Sequence, residues 1–286
     1  MYQHLAQYYD WVGALDISEA LTETIVAQLQ ALAPEVLKHP TGSYVDLGCG
    51  TGTSTLALAE SLPTTWQVVG IDSAPAMLKE AARKRDILSQ PLPPIQWQLG
   101  DIRTWYGKTE PSFDAPVRLM TCLYDTLNHL LAEDDLAACF AQCVASFKAA
   151  PNPSGVFVFD LNTWENYELC WQGTDTDELS NAKLRFESQF DPQTHLAEAT
   201  IHADIYPQAV VTGDEDESAT DEESPEASVP MEHRQDSVQQ RWYAPETVER
   251  LLMAAGFSRV VWVPLEIDWE LFGCDAPLKH LGMAFI

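Results

Sequence analysis

The sequence predicts an α/β fold: a doubly wound, seven-stranded sheet with a small antiparallel β cap inserted late in the chain. Two observations predict it. Short apolar stretches alternate with helix-prone segments as far as Leu161, which is typical of parallel strands joined by crossover helices. The alternation then stops over residues 163–243 and resumes at Ala244, so the interrupted stretch is predicted to be an insertion.

The predicted domain boundaries follow from this pattern. Residues 1–42 are predicted to form a helical lid, 43–162 the ligand-binding core, 163–243 the β-rich cap, and 244–286 the completion of the core sheet. Within the cap, residues 212–230 are acidic and lack apolar anchors, which predicts a disordered loop. A solvated spacer and an acidic docking segment are both open as roles for that loop.

The first predicted strand leads directly into a glycine-rich turn. Asp46 precedes the turn, and a helix-prone segment follows it. Glycines at such a turn let the backbone approach a ligand, because no Cβ intervenes. The dinucleotide fingerprint G-x-G-x-x-G would place its third glycine where this chain has Thr53. The three alternating glycines are Gly48, Gly50 and Gly52.

Carboxylates recur where the predicted strands end. Ligands of doubly wound sheets bind at the carboxyl ends of the strands, so this recurrence favours a cationic ligand. Asp72 follows Gly52 at about the 20-residue distance from which an acid reaches a ribose diol. The strand-end acids are Asp46, Asp72, Asp101, Asp125 and Asp160.

The glycine turn with Asp46 before it resembles motif I of the class I S-adenosylmethionine (SAM)-dependent methyltransferases. The resemblance covers roughly residues 40–165 and 243–286. It implies a Rossmann-like methyltransferase fold, SAM as the cofactor, and methyl transfer as the activity. SAM carries an ammonium and a sulfonium but no phosphate, which agrees with acidic strand ends. The segment 124–129 and the β-rich insertion are similar to those of a subgroup that acts on small molecules.

The resemblance and the strand ends together nominate the cofactor-binding residues. Asp72 is expected to accept the ribose hydroxyls. The resemblance implies that Asp101 and Ile102 border the adenine and that Tyr9 closes over the cofactor. The expected cofactor-binding set is Tyr9, Asp46, Gly48, Cys49, Gly50, Asp72, Ser73, Met77, Gly100, Asp101, Ile102, Cys122 and Leu123.

His129 is the candidate general base, because an imidazole titrates near neutral pH and this one follows the fourth strand. A helix-capping or surface histidine is the alternative, and an amine that arrives neutral would need no base. The expected acceptor-binding residues are Tyr124, Asn128, His202 and Tyr206, with His195 as a further cap residue.

Composition limits the partners. The formal net charge of −27 disfavours nucleic acid and anionic membrane surfaces. The N-terminus lacks signal-peptide features, so a cytoplasmic protein is predicted. The cysteines form no C-x-x-C pair, and no metal site is predicted. Two alternatives to a small-molecule methyltransferase are a nicotinamide-dependent oxidoreductase and a non-catalytic interaction module. The sequence leaves the methyl acceptor and the oligomeric state open.

Overall fold

A computed structural model describes residues 4–11, 14–107, 113–151, 153–207, 230–265, 269 and 276–286. The predicted acidic loop, residues 212–230, lies outside the described residues except for its last position. Within the described part of the chain, no helix is both long enough and apolar enough to span a membrane.

The helices and strands alternate along the chain until the cap begins. The helices are α1 (Ala14–Leu32), α2 (Pro34–Lys38), α3 (Thr53–Ala59), α4 (Pro75–Ile87), α5 (Glu133–Lys148), α6 (Trp164–Cys170) and α7 (Pro245–Ala255). The core strands are β1 (Ser43–Leu47), β2 (Gln67–Asp72), β3 (Ile95–Leu99), β4 (Val117–Cys122), β5 (Val156–Asn162), β10 (Arg259–Val263) and β11 (Lys279–Phe285). The cap strands are β6 (Gly173–Leu179), β7 (Ala182–Asp191), β8 (Leu196–Ile205) and β9 (Glu232–Arg241).

The core is a seven-stranded sheet in the order β10-β11-β5-β4-β1-β2-β3. Strands β1 to β5 are mutually parallel, and β11 runs antiparallel to both β5 and β10. The predicted doubly wound sheet is confirmed. The winding reverses between β1 and β4, and such switch points open a crevice at the carboxyl ends of the strands.

Both faces of this sheet are covered by helices. On one face α5 and α7 contribute apolar side chains such as Phe140, Phe147 and Leu252, all fully buried. On the other face α1 and α3 pack through residues such as Leu21 and Leu58. The periodic apolar positions that predicted helices are therefore the positions that bury the sheet.

The cap is a separate antiparallel sheet in the order β6-β7-β8-β9. Within the cap the sequence predicts strands over residues 184–190, 195–206 and 237–243, which correspond to β7, β8 and part of β9. It misses β6 and the helix α6. Strand β6 is largely exposed and acidic, so it shows no apolar alternation, and pairing with β7 on one side holds it. Helix α6 is short, and its start depends on the Thr163 hydroxyl, which accepts from the Asn166 N–H at 3.1 Å.

The N-terminal segment crosses from the cap to the core. Leu5 and Tyr8 pack against cap residues that include Leu184, while Ala6 packs against Met77 of α4. The main-chain N–H of His4 donates to Asp236 Oδ2 on β9 at 3.0 Å. These contacts place residue 9 above the carboxyl ends of the core strands.

Candidate cofactor and acceptor site

A cavity of about 470 Å³ opens at the carboxyl ends of β1, β2, β3 and β4. Its volume is within the range of small-molecule sites, about 300–1,000 Å³. The lining residues are Tyr9, Gly48, Gly50, Asp72, Ser73, Ala74, Met77, Gly100, Asp101, Ile102, Arg103, Tyr124, Thr126, His129, Leu130, Leu131 and Asp135. Most of the residues predicted to bind a cofactor are therefore brought together here.

The glycine turn forms one wall of the cavity. Gly48 and Gly50 have φ values of +70° and +53°, a region that favours glycine. A Cβ on Gly48 would lie 2.3 Å from Thr126 Cγ2, so this position has no room for a side chain. A Cβ on Gly50 would meet nothing within 4 Å, which leaves the backbone open to a ligand.

Asp72 ends β2 and binds the glycine turn. Its Oδ2 accepts from the Gly50 N–H at 2.9 Å, and its Oδ1 accepts from the Ala74 N–H at 2.8 Å. Burial raises the pKa of Asp72, and these two N–H groups oppose the rise. Each carboxylate oxygen retains a lone pair, so the side chain has capacity for two more hydroxyl donors.

Asp46, the acid before the turn, does not line the cavity. It is 2% exposed, and its two oxygens accept from Thr55 Oγ1 at 2.5 Å and Thr121 Oγ1 at 2.6 Å. Burial raises its pKa to about 6, against the effect of the two hydroxyls. The side chain therefore joins β1, α3 and β4 beneath the turn, because a carboxylate this deep needs internal donors.

Asp10, in the N-terminal segment, was not predicted to be near the site. Its carboxylate contacts the start of α3. Its Oδ1 accepts from Thr51 Oγ1 at 2.6 Å and from Thr53 Oγ1 at 3.1 Å, and Lys84 of α4 pairs with its other oxygen. The Lys84 ammonium also donates to both threonine hydroxyls. Nothing in the local sequence signals these contacts, because Asp10 and Thr51 are far apart in the chain.

Asp101 lies at the cavity mouth and is paired. The Arg103 guanidinium donates to Asp101 Oδ2 at 2.6 Å and to Asp135 Oδ1 at 2.9 Å. The hydrogen bonds that Arg103 donates to the two carboxylates raise the pKa of its guanidinium. Ile102 and Met77, predicted neighbours of the cofactor, are buried beside this group and give the cavity an apolar surface.

The chain turns abruptly after β4. Tyr124 and Asp125 have φ values of +56° and +51°, a region that non-glycine residues seldom adopt. The turn leads into the 3₁₀ segment Thr126–His129, which brings His129 to the cavity wall. Strained backbone of this kind persists where surrounding contacts hold it, and here those contacts come from the cap and β11.

His129 is bound by the cap strand β9. Its Nδ1 lies 2.9 Å from the carbonyl oxygen of Gln239, and its Nε2 lies 3.3 Å from Gln240 Nε2. Burial lowers the pKa of His129, and Asp125 opposes this most strongly. The imidazole is therefore neutral at physiological pH.

Lys279, at the start of β11, is 7% exposed and lies behind this wall. Its ammonium donates to Asp125 Oδ1 at 2.8 Å, Asp160 Oδ2 at 2.8 Å and Asn162 Oδ1 at 3.1 Å. Burial alone would lower the pKa of Lys279, but Asp125 and Asp160 raise it above its ordinary value. The strand-end acids Asp125 and Asp160 therefore pair with the Lys279 ammonium and do not line the cavity.

Several residues expected at the site lie outside the cavity lining. Cys122 and Leu123 are in the two apolar cores on either side of the sheet. Cys49 is buried and borders a separate space of about 40 Å³ beside the glycine turn. Asn128 is fully buried, and its amide N–H donates to the Arg241 carbonyl at 2.8 Å. An apolar or amide residue at a strand end faces the sheet as readily as the ligand.

The predicted cap residues also lie away from the cavity. His202 pairs with Gln235 in the β8–β9 ladder, whereas Ala197 pairs with Gln240 next to His129. Five residues of strand separate the two positions, which is roughly 17 Å. Tyr206 follows the end of β8 at that far side. His195, in the turn between β7 and β8, packs its ring against Trp164 and Trp242.

Comparison with known proteins agrees with this geometry. Residues 45–149 match the family model described as "Methyltransferase domain". Among curated relatives, trans-aconitate 2-methyltransferase from Deinococcus radiodurans is 43% identical over 86 residues, which is 30% of this chain and 28% of the relative. The match therefore spans well under two thirds of that relative.

Solved structures match over nearly the whole chain. A SAM-dependent methyltransferase from Clostridium acetobutylicum superposes with a TM-score of 0.66 at 20% identity, covering 99% of this chain and 98% of that one. CalS10, an amino pentose methyltransferase from Micromonospora echinaspora solved with SAM bound, superposes with a TM-score of 0.57 at 19% identity, over 94% and 90%. At these identities the matches establish the fold, cap sheet included.

Proposed function

We propose that this chain, whose core is a methyltransferase domain with the class I fold, binds SAM and transfers its methyl group to a small-molecule acceptor. Its resemblance to the class I methyltransferases is confirmed by the family model and the shared fold. The activity, the acceptor and the residue roles are the proposed part.

The observation that carries the proposal is the Asp72 carboxylate at the edge of the cavity. It is fixed by the Gly50 and Ala74 N–H groups and retains acceptor capacity for a ribose diol. The open backbone at Gly50 and the apolar surface of Met77 and Ile102 lie in the same cavity. These features fit a nucleoside that carries positive charge.

In this proposal the cofactor, when bound, supplies an electrophilic methyl group, and the protein supplies orientation and a dry surface. Gly48 and Gly50 border the amino-acid end, Asp72 binds the ribose, and Asp101 with Ile102 borders the adenine. Tyr9 covers the cavity from the N-terminal segment. His129 takes a proton from the acceptor where the acceptor group carries one to lose.

The Asp10 carboxylate argues against the nicotinamide alternative. A dinucleotide places its pyrophosphate at the N-terminus of the helix that follows the glycine turn. Here the Asp10 carboxylate is bonded to the Thr51 and Thr53 hydroxyls beside the start of α3, and Lys84 balances its charge. A pyrophosphate would have to displace this carboxylate, whereas SAM carries no phosphate that needs the position.

We favour an amine or hydroxyl acceptor over a carboxylate such as trans-aconitate. In the cavity lining, the guanidinium of Arg103 is bound by Asp101 and Asp135 at the proposed adenine end, so it is not placed to pair with a carboxylate acceptor. The amino pentose methyltransferase of similar fold is consistent with an amine acceptor.

Calorimetric titration with SAM, with S-adenosylhomocysteine and with NADH tests the cofactor. We expect saturable binding of the first two and none of NADH. Release of S-adenosylhomocysteine in the presence of small amines, alcohols and carboxylates then tests the acceptor class. Binding of SAM without turnover on any acceptor would favour the non-catalytic alternative, and absence of SAM binding by folded protein would refute the proposal.

A further inference from the structure

The hydrogen bonds behind His129 form a series in which the direction of every bond is determined. The series starts at Lys279, because an ammonium can only donate. Its Nζ lies 3.1 Å from one side-chain atom of Asn162, which must therefore be the amide oxygen. The amide nitrogen of Asn162 then faces the other way, toward the side chain of Gln240 at 3.0 Å.

That contact fixes the orientation of Gln240 in turn. An amide N–H needs an acceptor, so the Gln240 atom facing Asn162 is Oε1, which also accepts from the Tyr167 hydroxyl at 2.9 Å. The Gln240 amide nitrogen consequently points at Asp125 Oδ2 and at His129 Nε2. Gln240 is 1% exposed, so water does not offer it other partners.

The same reasoning applies to both ring nitrogens of His129. A carbonyl oxygen only accepts, so the nitrogen facing the Gln239 carbonyl at 2.9 Å carries the proton. The other nitrogen faces a donor, the Gln240 N–H at 3.3 Å, and must hold its lone pair toward it. This bond is longer than the usual 2.7–3.2 Å, so a stronger donor can displace it.

We propose that Gln240 is a positioning residue that keeps the His129 imidazole neutral, with its proton on Nδ1 and its lone pair on Nε2. Lys279 determines this state without touching the ring, because it fixes the orientation of the Asn162 amide, which in turn fixes that of Gln240. The role of His129 as the group that takes the acceptor's proton rests on the proposed function. The tautomer does not, and it can be measured without any acceptor.

The charged groups around His129 act in opposite directions. Asp125 and Asp72 favour the protonated ring, whereas burial and Lys279 favour the neutral one. The Asp125 oxygens accept from Lys279 and from Gln240. Gln240 therefore donates both to the ring nitrogen and to the carboxylate nearest the ring.

Nuclear magnetic resonance of the histidine ring nitrogens tests this directly in the full-length protein. The signals of His129 are assigned by their loss in His129→Gln. In the wild type we expect the Nδ1–H tautomer, which free histidine disfavours, and titration at a pH below that of an ordinary histidine. An Nε2–H tautomer in the wild type would overturn the proposal.

Two variants of Gln240 then separate positioning from packing. Gln240→Met fills a similar volume without the donor, and we expect the titration midpoint of His129 to rise by about one pH unit. Gln240→Glu retains acceptors for Tyr167 and Asn162 and sets its second oxygen against Asp125 Oδ2, so the two carboxyl groups are expected to share a proton. That proton is held between the carboxyl groups and is not donated to the ring, so the midpoint of His129 is expected to rise as in Gln240→Met.

Gln235→Leu is the matched control, because Gln235 is an exposed glutamine on the same strand. We expect it to leave the His129 titration unchanged. An unchanged midpoint in folded Gln240→Met and Gln240→Glu would refute the positioning role. Calorimetric SAM binding by the same samples reports on the proposed function separately, so the failure of one does not imply failure of the other.

Discussion

The two walls of the cavity are held in place by different kinds of contact. In the core wall, formed by Gly48, Gly50, Asp72 and Asp101, the partners of Asp72 are 22 and 2 residues away along the chain. In the cap wall, formed by residues 124–131 and backed by β9 and β11, His129 binds a carbonyl 110 residues away. Lys279 binds Asp125 across 154 residues.

This difference indicates what each wall can do. The core wall presents the open backbone at Gly50 and two acids on rigid strand ends, which suits an invariant ligand such as a cofactor. The cap wall depends on ion pairs and amide side chains that meet only after the cap has docked. It is therefore where acceptor specificity and proton transfer are expected to reside. Four measurements test that contrast.

The largest effect is expected at the centre of the cap wall. Lys279→Met leaves the buried Asp160 and the half-buried Asp125 beside each other without their cation, which is expected to lower the free energy of unfolding by about 3–5 kcal/mol. Urea unfolding measures it. Lys183→Met removes an exposed pair with Glu178 and is expected to leave stability nearly unchanged. Equal losses in the two variants would contradict the role of Lys279.

The next effect concerns the acid beneath the core wall. The pKa of Asp46 is raised from 3.8 to about 6, so the native state binds this proton more tightly than the unfolded chain. Its contribution to stability is full below about pH 3.8 and is lost as pH rises through about 6, a total of roughly 3 kcal/mol.

Asp46→Asn removes this titration. The difference in unfolding free energy between wild type and variant is therefore expected to fall by about 2–2.5 kcal/mol between pH 4 and pH 7, most of the total. Urea unfolding of both proteins across that range measures it. Parallel pH profiles would mean that Asp46 is not held protonated by its burial.

The third effect tests the ribose assignment. Asp72→Ala removes two potential hydroxyl contacts and releases the Gly50 N–H, so SAM binding is expected to weaken by about 2–3 kcal/mol, about 30- to 150-fold. Calorimetry on variant protein with a native circular dichroism spectrum measures it. Affinity equal to that of the wild type would remove Asp72 from the cofactor site.

The smallest effect is expected at the other acid of the core wall. The Asp101 side chain is 42% exposed and bound to Arg103, so Asp101→Ala is expected to weaken SAM binding by less than about 1 kcal/mol. The same calorimetric titration measures it beside Asp72→Ala. A loss of affinity as large as that of Asp72→Ala would show that the exposed fraction of a carboxylate does not predict how much it contributes to SAM binding.

Local patterns predicted most of the core wall. The glycine turn, Asp72, Met77 and Ile102 lie where the sequence places them, since each follows a strand or starts a helix whose periodicity is visible. The same reasoning placed too many of the strand-end acids beside the ligand. Asp72 and Asp101 line the cavity, whereas Asp46 and Asp160 are buried among internal donors, because a strand end does not specify which way its side chain turns.

The cap wall was predicted only in part. His129 was identified from its residue type and its position after β4. Gln240 and Lys279, which set its environment, carry no motif and lie in a cap strand and a late core strand. Asp10 was not predicted for the same reason, because only the fold brings it to its partners Thr51, Thr53 and Lys84.

The amino-acid sequence by itself determined the parallel sheet, the glycine turn and the acid one strand away, because hydrophobic period and turn chemistry act between residues close in the chain. Tertiary structure alone decided which acids face the ligand and in which direction each buried amide points. Those outcomes depend on donors and acceptors that meet across more than a hundred residues, and a buried polar group takes whatever partner the packed chain delivers.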